Sequence, residues 1–268
     1  MWISINGTIT EPNTFDWLSD SGFNYGYGAF ETIRLHKGTP LFLNKHIQRL
    51  NNTLTNLHIP ITYTTDEWQT HIVALATKTN QDTGVIKLYV TGGNTPITPN
   101  ITPVPQHIIR LLDIPNTVCN TYTTVTVTPD IWFQQKSLNY AHHAMHCTQT
   151  QHWPIYIDQT TDTIIDSAIF SIGLVKNETI IFPTHPLQLP SISRQILIKQ
   201  LNKNYGSIPV HIKPVPKKEL KHATVFGSNV IRGVVPLSYE GNPPTKREKD
   251  NAILTQLEQI YTSSMQQL

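Results

Sequence analysis

From Phe133 to Pro154 the chain reads FQQKSLNYAHHAMHCTQTQHWP, and this stretch offers two kinds of chemistry. The first is metal binding. His142 and His146 are four residues apart, so on a helix they share a face, with His143, Cys147 and His152 close by. Nitrogen and sulfur ligands suit zinc. No glutamate follows the first histidine as in a metalloprotease helix, and no Cys-x-x-Cys is present, so the reading is histidines on a partly exposed helix and no metal. The second is amine chemistry. Lys136 stands where a strand or loop leads into a helix, a place where an ammonium is partly desolvated and its amine freed to attack a carbonyl. An ordinary surface lysine has the same local sequence, so Lys136 counts only if the rest of the chain supplies partners for it.

Those partners belong to a chain of 268 residues with a formal net charge of +2. The length allows a sizeable core and suggests two unequal lobes. Charged residues make up 14%, with Thr, Asn and Gln filling polar positions instead. Basic residues are scattered apart from KKELK (217–221) and KREK (246–249), which is no footprint for nucleic acid. No apolar run approaches the ~18 residues of a membrane span. MWISINGTIT lacks the basic region and apolar core of a secretory signal, and two cysteines, Cys119 and Cys147, cannot staple such a chain. The expectation is a cytoplasmic protein with a small-molecule ligand and no nucleic-acid or membrane partner.

The elements that must position Lys136 read as follows. Asn6-Gly7 and Lys37-Gly38 are turn pairs between short strands. Ile47, Leu50, Leu54 and Leu57 recur at helical spacing behind a possible Asn44 cap, and a second helix covers about 65–80. The strands GVIKLYVTGG and QHIIRLLDI follow. DIPNTVCN (113–120) is a polar joint, which divides the chain into an N-terminal α+β domain (1–113), a linker (114–120) and a C-terminal α+β domain (121–268) carrying Lys136. In the latter, TYTTVTVTP, PIYID, IIDSAIFSIGLV, ETIIFP, VHIKPV and ATVFGS read as strands. SLNYAHHAMHCTQTQ, SISRQILIKQL and KREKDNAILTQLEQIYTSSM read as helices. Strands and helices mix without regular alternation, so the fold class is α+β.

DSGFNYGYGAFETIRLHKGTPLFLNKHIQRL, then KSLNY, IIDSAIFSI, LPSISRQIL and GSNVIRGVVPL, resemble in content and order the fold-type IV enzymes that use pyridoxal 5′-phosphate. These are the D-amino acid and branched-chain aminotransferases and aminodeoxychorismate lyase, and the match runs over residues of about 1 to 240. The resemblance implies a two-domain D-amino acid aminotransferase-like fold and a homodimer. It makes Lys136 the lysine that bonds the cofactor and shuttles protons, Tyr140 a partner of the cofactor's phenolic oxygen, and Arg49 the phosphate-binding guanidinium. It places the backbone N–H groups of Ile192 and Ser193, at a helix start capped by Ser191 or Ser193, on the phosphate, with Asn229 and Val230 on its other side.

Several positions depart from the family pattern. The acid for the ring nitrogen is Asp166 rather than glutamate, with Asp162 as the fallback, and Ser171 stands where asparagine is usual. Tyr27 replaces the acid of a Gly-Asp-Gly. Ser191 replaces a glycine and would be strained at positive φ. Gly92 and Gly93 replace an arginine that grips the substrate carboxylate, so Arg34, Lys87 and Arg232 become candidates for that task. Thr32 matches a threonine that the lyases use in proton transfer to the leaving pyruvate. The resemblance implies a small-molecule amine substrate and a lyase converting 4-amino-4-deoxychorismate to 4-aminobenzoate and pyruvate, a step toward folate. The alternatives are an aminotransferase of D- or branched-chain amino acids, and a decayed paralogue with a binding role.

Overall fold

The computed structural model describes residues 2–116, 119–204, 208–240 and 248–266. The chain forms two units. One takes in residues up to Asn116 together with Gln135–Tyr140, and the other the remainder.

The first unit is a six-stranded antiparallel sheet with helices against one face. Its strands are β1 (Ile3–Ile5), β2 (Thr8–Thr10), β3 (Gly28–His36), β4 (Thr39–Pro40), β5 (Gly84–Thr91) and β6 (Gln106–Leu112), in the order β2-β1-β6-β5-β3-β4. Asn6-Gly7 and Lys37-Gly38 take positive φ at both positions, as two-residue hairpins require. Between β2 and β3 lies the short helix α1 (Ser21–Tyr25), capped by Asp20. Helices α2 (Leu43–Asn56) and α3 (Thr65–Thr79) follow β4. Side chains at Leu43, Ile47, Leu50 and Leu54 of α2 pack into one core with Ala29, Ile33 and Leu35 of β3 and with Trp68, Ile72 and Leu75 of α3. Each such burial contributes about 1.5–3 kcal/mol, which fixes α2 against the sheet. Asn44 is not the cap: Phe42, with φ of 56°, is the residue before the first turn, and it makes no side-chain cap bond. A capping box at Thr64 and Glu67 starts α3.

Gln135–Tyr140 joins this unit because it pairs with β3. Ser137 bridges Ala29, the Phe30 N–H donates to Lys136 O at 2.9 Å, and the Leu138 N–H donates to Gly28 O at 2.8 Å. Lys136 therefore sits in the first unit, not in a domain beginning at 121, and the helix expected from Ser137 starts only at Ala141. Of the expected linker, Thr117 and Val118 lie outside the described residues.

The second unit holds an eight-stranded mixed sheet in the order β12-β11-β10-β13-β14-β7-β8-β9. Its strands are β7 (Thr121–Val127), β8 (Trp153–Asp158), β9 (Ile164–Ser167), β10 (Ser171–Lys176), β11 (Thr179–Pro183), β12 (Val210–Lys213), β13 (Thr224–Asn229) and β14 (Gly233–Tyr239). Its helices are α4 (Ala141–Thr150), α5 (Ile192–Asn204) and α6 (Glu248–Gln266). The expected start of α6 at Lys246 lies outside the described residues. Two readings are corrected. IIDSAIFSIGLV is two strands, because the chain turns over Ala168–Phe170 so that β10 pairs with β13. Residues 233–239, given no element from sequence, form β14, where Pro236 pairs with Phe226 of β13 while the bonds to β7 fall only at Ser238 and Tyr239. Among the described residues no helix is long and apolar enough to cross a membrane.

Candidate active site

In the first unit the site is built on β3. Successive side chains of a strand point to opposite faces. Ala29, Glu31, Ile33 and Leu35 face the helices, and Phe30, Thr32 and Arg34 face the other way. Glu31 is thus a carboxylate in a hydrophobic core, fully buried. It is held by charge. Arg49 Nε donates to Oε1 at 2.6 Å, Arg49 Nη2 donates to Oε2 at 2.8 Å, and His46 Nδ1 lies 2.8 Å from Oε2. Burial alone would raise the Glu31 pKa, but the Arg49 and His46 partners outweigh it and hold the carboxyl well below its usual range. Burial lowers the His46 pKa; the Glu31 charge opposes this, and the Arg49 and Lys136 charges add to it. A neutral His46 must donate from Nδ1 to an ionised carboxylate, which leaves its buried Nε2 as an acceptor with no partner. Neither Glu31 nor His46 was given a role from sequence.

On the opposite face, Lys136 Nζ lies 4.4 Å from the centroid of the Phe30 ring and 5.8 Å from that of Tyr140. Phe30 and Tyr140 meet edge to face at 5.3 Å. The Lys136 N–H donates to Thr53 Oγ1 at 3.3 Å, tying the lysine's backbone to α2. Thr32 lies directly across from Lys87 of β5, and Lys87 Nζ donates to Thr32 Oγ1 at 2.8 Å. The first unit therefore brings together Lys136, Tyr140, Thr32, Arg49, Arg34 and Lys87 on or around one strand.

In the second unit Asp166 of β9 is buried, and its Oδ1 has no hydrogen-bond partner among the described residues. Burial raises its pKa to about 7 against the lowering effects of the Ser167 backbone N–H and the Arg194 charge. Asp162 is exposed in the turn before β9, where its N–H donates to Asp158 O, so it cannot stand in as the buried acid. Ile192 and Ser193 open α5 and are buried. Ser191 Oγ accepts from the Arg194 N–H at 3.3 Å, so Ser191 is the capping side chain, and its φ is not positive: the expected strain is absent. Ser193 Oγ lies 3.1 Å from Ser191 Oγ and 3.1 Å from Ser228 Oγ. Ser228 is paired with Ser171, so four hydroxyls gather at this end of α5. Asn229 Oδ1 accepts from the N–H groups of Ile231 and Arg232, which organises the turn that holds Val230 before Gly233 at φ of 71°. The histidines of α4 belong to an aromatic cluster: His143 Nδ1 lies 2.7 Å from the Tyr156 hydroxyl, and His142 packs 5.4 Å from Phe133. Among the described residues no three acidic, histidine or cysteine side chains form a metal-binding group.

These groups fit pyridoxal phosphate. In the first unit a half-buried amine beside a phenol matches an aldehyde and a guanidinium matches a phosphate; in the second a buried carboxyl with an unpartnered oxygen matches a protonated ring nitrogen and a hydroxyl cluster at a helix start matches a phosphate. The chain matches the amino-transferase class IV family over residues 28–238 and belongs to it. It is an enzyme dependent on pyridoxal 5′-phosphate.

A D-alanine aminotransferase of Listeria monocytogenes serotype 1/2a (strain 10403S) is 24% identical over a 283-residue alignment that covers 99% of this chain and 96% of the relative. An aminodeoxychorismate lyase of Bacillus subtilis (strain 168) is 48% identical over 48 residues, 18% of this chain and 16% of the relative. The crystal structure of 4-amino-4-deoxychorismate lyase from Pseudomonas aeruginosa shares the fold, with a TM-score of 0.77 at 21% identity over 96% of this chain and 98% of that one.

Proposed function

We propose that the enzyme is a 4-amino-4-deoxychorismate lyase that forms 4-aminobenzoate and pyruvate. The hydrogen bond from Lys87 to Thr32 carries this reading. An elimination that expels an enol needs an acid to protonate it, whereas transfer of an amino group does not. Thr32 Oγ1 accepts from an ammonium, so its own proton is left to donate, and the adjacent positive charge makes the hydroxyl more acidic.

The bound cofactor supplies an electron sink for the carbon that carries the substrate nitrogen. Lys136 Nζ removes the proton from that carbon. The ring C–O bond to the enolpyruvyl group then breaks, and Thr32 Oγ1 delivers a proton to the methylene carbon of the departing enol, giving pyruvate. Asp166 keeps the cofactor's ring nitrogen protonated, and Arg49, Ile192, Ser193, Asn229 and Val230 hold its phosphate. Tyr140 orients the phenolic oxygen beside Lys136. Arg34, Lys87 and Arg232 are the cations available for substrate carboxylates. A homodimer is part of this reading, supported by the exposed Leu18, Phe23 and Tyr25 within one short stretch.

The second reading is an aminotransferase, favoured by the likeness to the Listeria D-alanine aminotransferase along nearly its whole length. Purified enzyme is given aminodeoxychorismate, and separately pairs of D- or branched-chain amino acids with keto acids. The lyase reading expects pyruvate and 4-aminobenzoate in equal amounts and little keto-acid turnover. Rapid amino transfer without pyruvate release overturns it.

A further inference from the structure

Thr32, Lys87 and Arg110 form one cross-strand row through β3, β5 and β6, on the sheet face that carries Phe30. Like charges directly opposite on a sheet are destabilising, yet Lys87 and Arg110 are such a pair. Among the described residues, the one side-chain hydrogen bond of the half-buried Lys87 ammonium runs to a neutral hydroxyl. The positions of β1, β2, β3, β5 and β6 that share this face hold no aspartate or glutamate; Arg110 hydrogen-bonds the Tyr89 phenol, and the Glu31 charge acts on Lys87 from the other face of the sheet. Lys87 Nζ lies 5.4 Å from the centroid of the same Phe30 ring that Lys136 approaches on its own side, so the row begins one aromatic ring from the reacting amine.

The segment after β5 offers no substitute. A Cβ at Gly92 would lie 2.5 Å from Cδ1 of Tyr27, whose hydroxyl donates to Leu57 O at 2.8 Å and so fixes the ring. Gly93 has φ of 68°, and a Cβ there would meet the Val104 carbonyl oxygen. Neither position can carry a side chain without displacing its surroundings.

We propose that Arg110 is a specificity-determining residue that binds substrate: beside Lys87 it completes a two-cation seat that selects dicarboxylates over monocarboxylates. The proposal rests on Lys136 being the reacting amine. Its test uses two matched pairs of ligands, chorismate against 4-hydroxybenzoate and 2-oxoglutarate against pyruvate, with dissociation constants measured by titration calorimetry on the cofactor-loaded enzyme. The parent enzyme binds the dicarboxylate of at least one pair more tightly. Arg110→Gln weakens that dicarboxylate by about ten- to a hundredfold, the value of a charged hydrogen bond, and its monocarboxylate partner by less than about threefold. Arg110→Lys keeps the charge without the fork and regains most of the loss. If Arg110→Gln does not fold, Arg110→Lys alone still decides, by a selective loss of a few-fold for the dicarboxylate. Equal effects on both members of each pair, no effect on either, or a parent enzyme without preference overturn the proposal. Failure of the Lys136 reading is separate, and shows as a parent enzyme without the near-visible absorbance of a lysine-bound cofactor.

Discussion

Replacing Glu31 by glutamine removes a buried negative charge that offsets Arg49 inside the core of the first unit. The carboxylate is fully buried and takes two guanidinium hydrogen bonds at 2.6 and 2.8 Å. Breaking a buried pair from one side costs about 3–5 kcal/mol, because the remaining charge stays desolvated and uncompensated. At a few degrees per kcal/mol for a chain of this size, the midpoint of thermal unfolding should fall by on the order of 10 °C. The assay is a thermal melt of the cofactor-free protein, paired with a titration of pyridoxal phosphate followed by absorbance. Glu31→Gln should also weaken cofactor binding, since Arg49 loses the carboxylate that aims it. The double variant Glu31→Gln/Arg49→Met removes both members of the pair, so it should melt higher than Glu31→Gln alone. A loss below about 1 kcal/mol in the single variant, or purely additive losses in the double, would refute the idea that Glu31 acts by holding Arg49.

Three further outcomes are expected. In the cofactor-free protein Asp166 keeps its proton up to about pH 7, whereas the unfolded chain loses it near the ordinary 3.8. The contribution of Asp166 to stability is therefore greatest below about pH 4 and falls by about 1.4 kcal/mol per pH unit as pH rises to 7, so in urea titrations across that range the difference between the parent and Asp166→Asn changes with that slope. Gly92→Ala lowers the melting temperature in the parent background, and Tyr27→Ala restores tolerance of the added methyl; equal cost in both backgrounds would show that the Tyr27 ring is not the obstacle. Thr32→Val cuts pyruvate release from aminodeoxychorismate by about a hundredfold, the scale of a lost general acid, while the absorbance of the loaded enzyme is retained.

What the sequence made legible was chiefly what local chemistry marks. Lys136 before SLNY and Arg49 in HIQRL stand out through the order of motifs that carries the family resemblance, and a serine cap at Ser191 or Ser193 through residue type at a helix start. Glu31 did carry a signal: it occupies a core position in the alternation Ala29, Glu31, Ile33, Leu35, and a charge on a buried face must be paired. His46 follows from it, three residues before Arg49 on α2. The start of α4 was not legible, because alanine, methionine and glutamine content favours a helix locally while the pairing of Lys136–Leu138 with Gly28–Phe30 is a long-range contact. β14 was hidden by Pro236, which a strand tolerates only where one side needs no hydrogen bond. The mostly apolar stretch Ile165–Val175 concealed the turn that separates Asp166 from Ser171, since nothing in hydrophobicity alone marks a break in a buried segment.

The most direct measurement of the central claim is covalent trapping at Lys136. Cofactor-loaded enzyme is treated with borohydride, digested and mapped by mass spectrometry. The account expects the near-visible absorbance to bleach and the reduced pyridoxyl group to appear on Lys136 alone, with Lys136→Ala taking up no label. A label on another lysine, or a Lys136→Ala protein that still bleaches with the same stoichiometry, would contradict it.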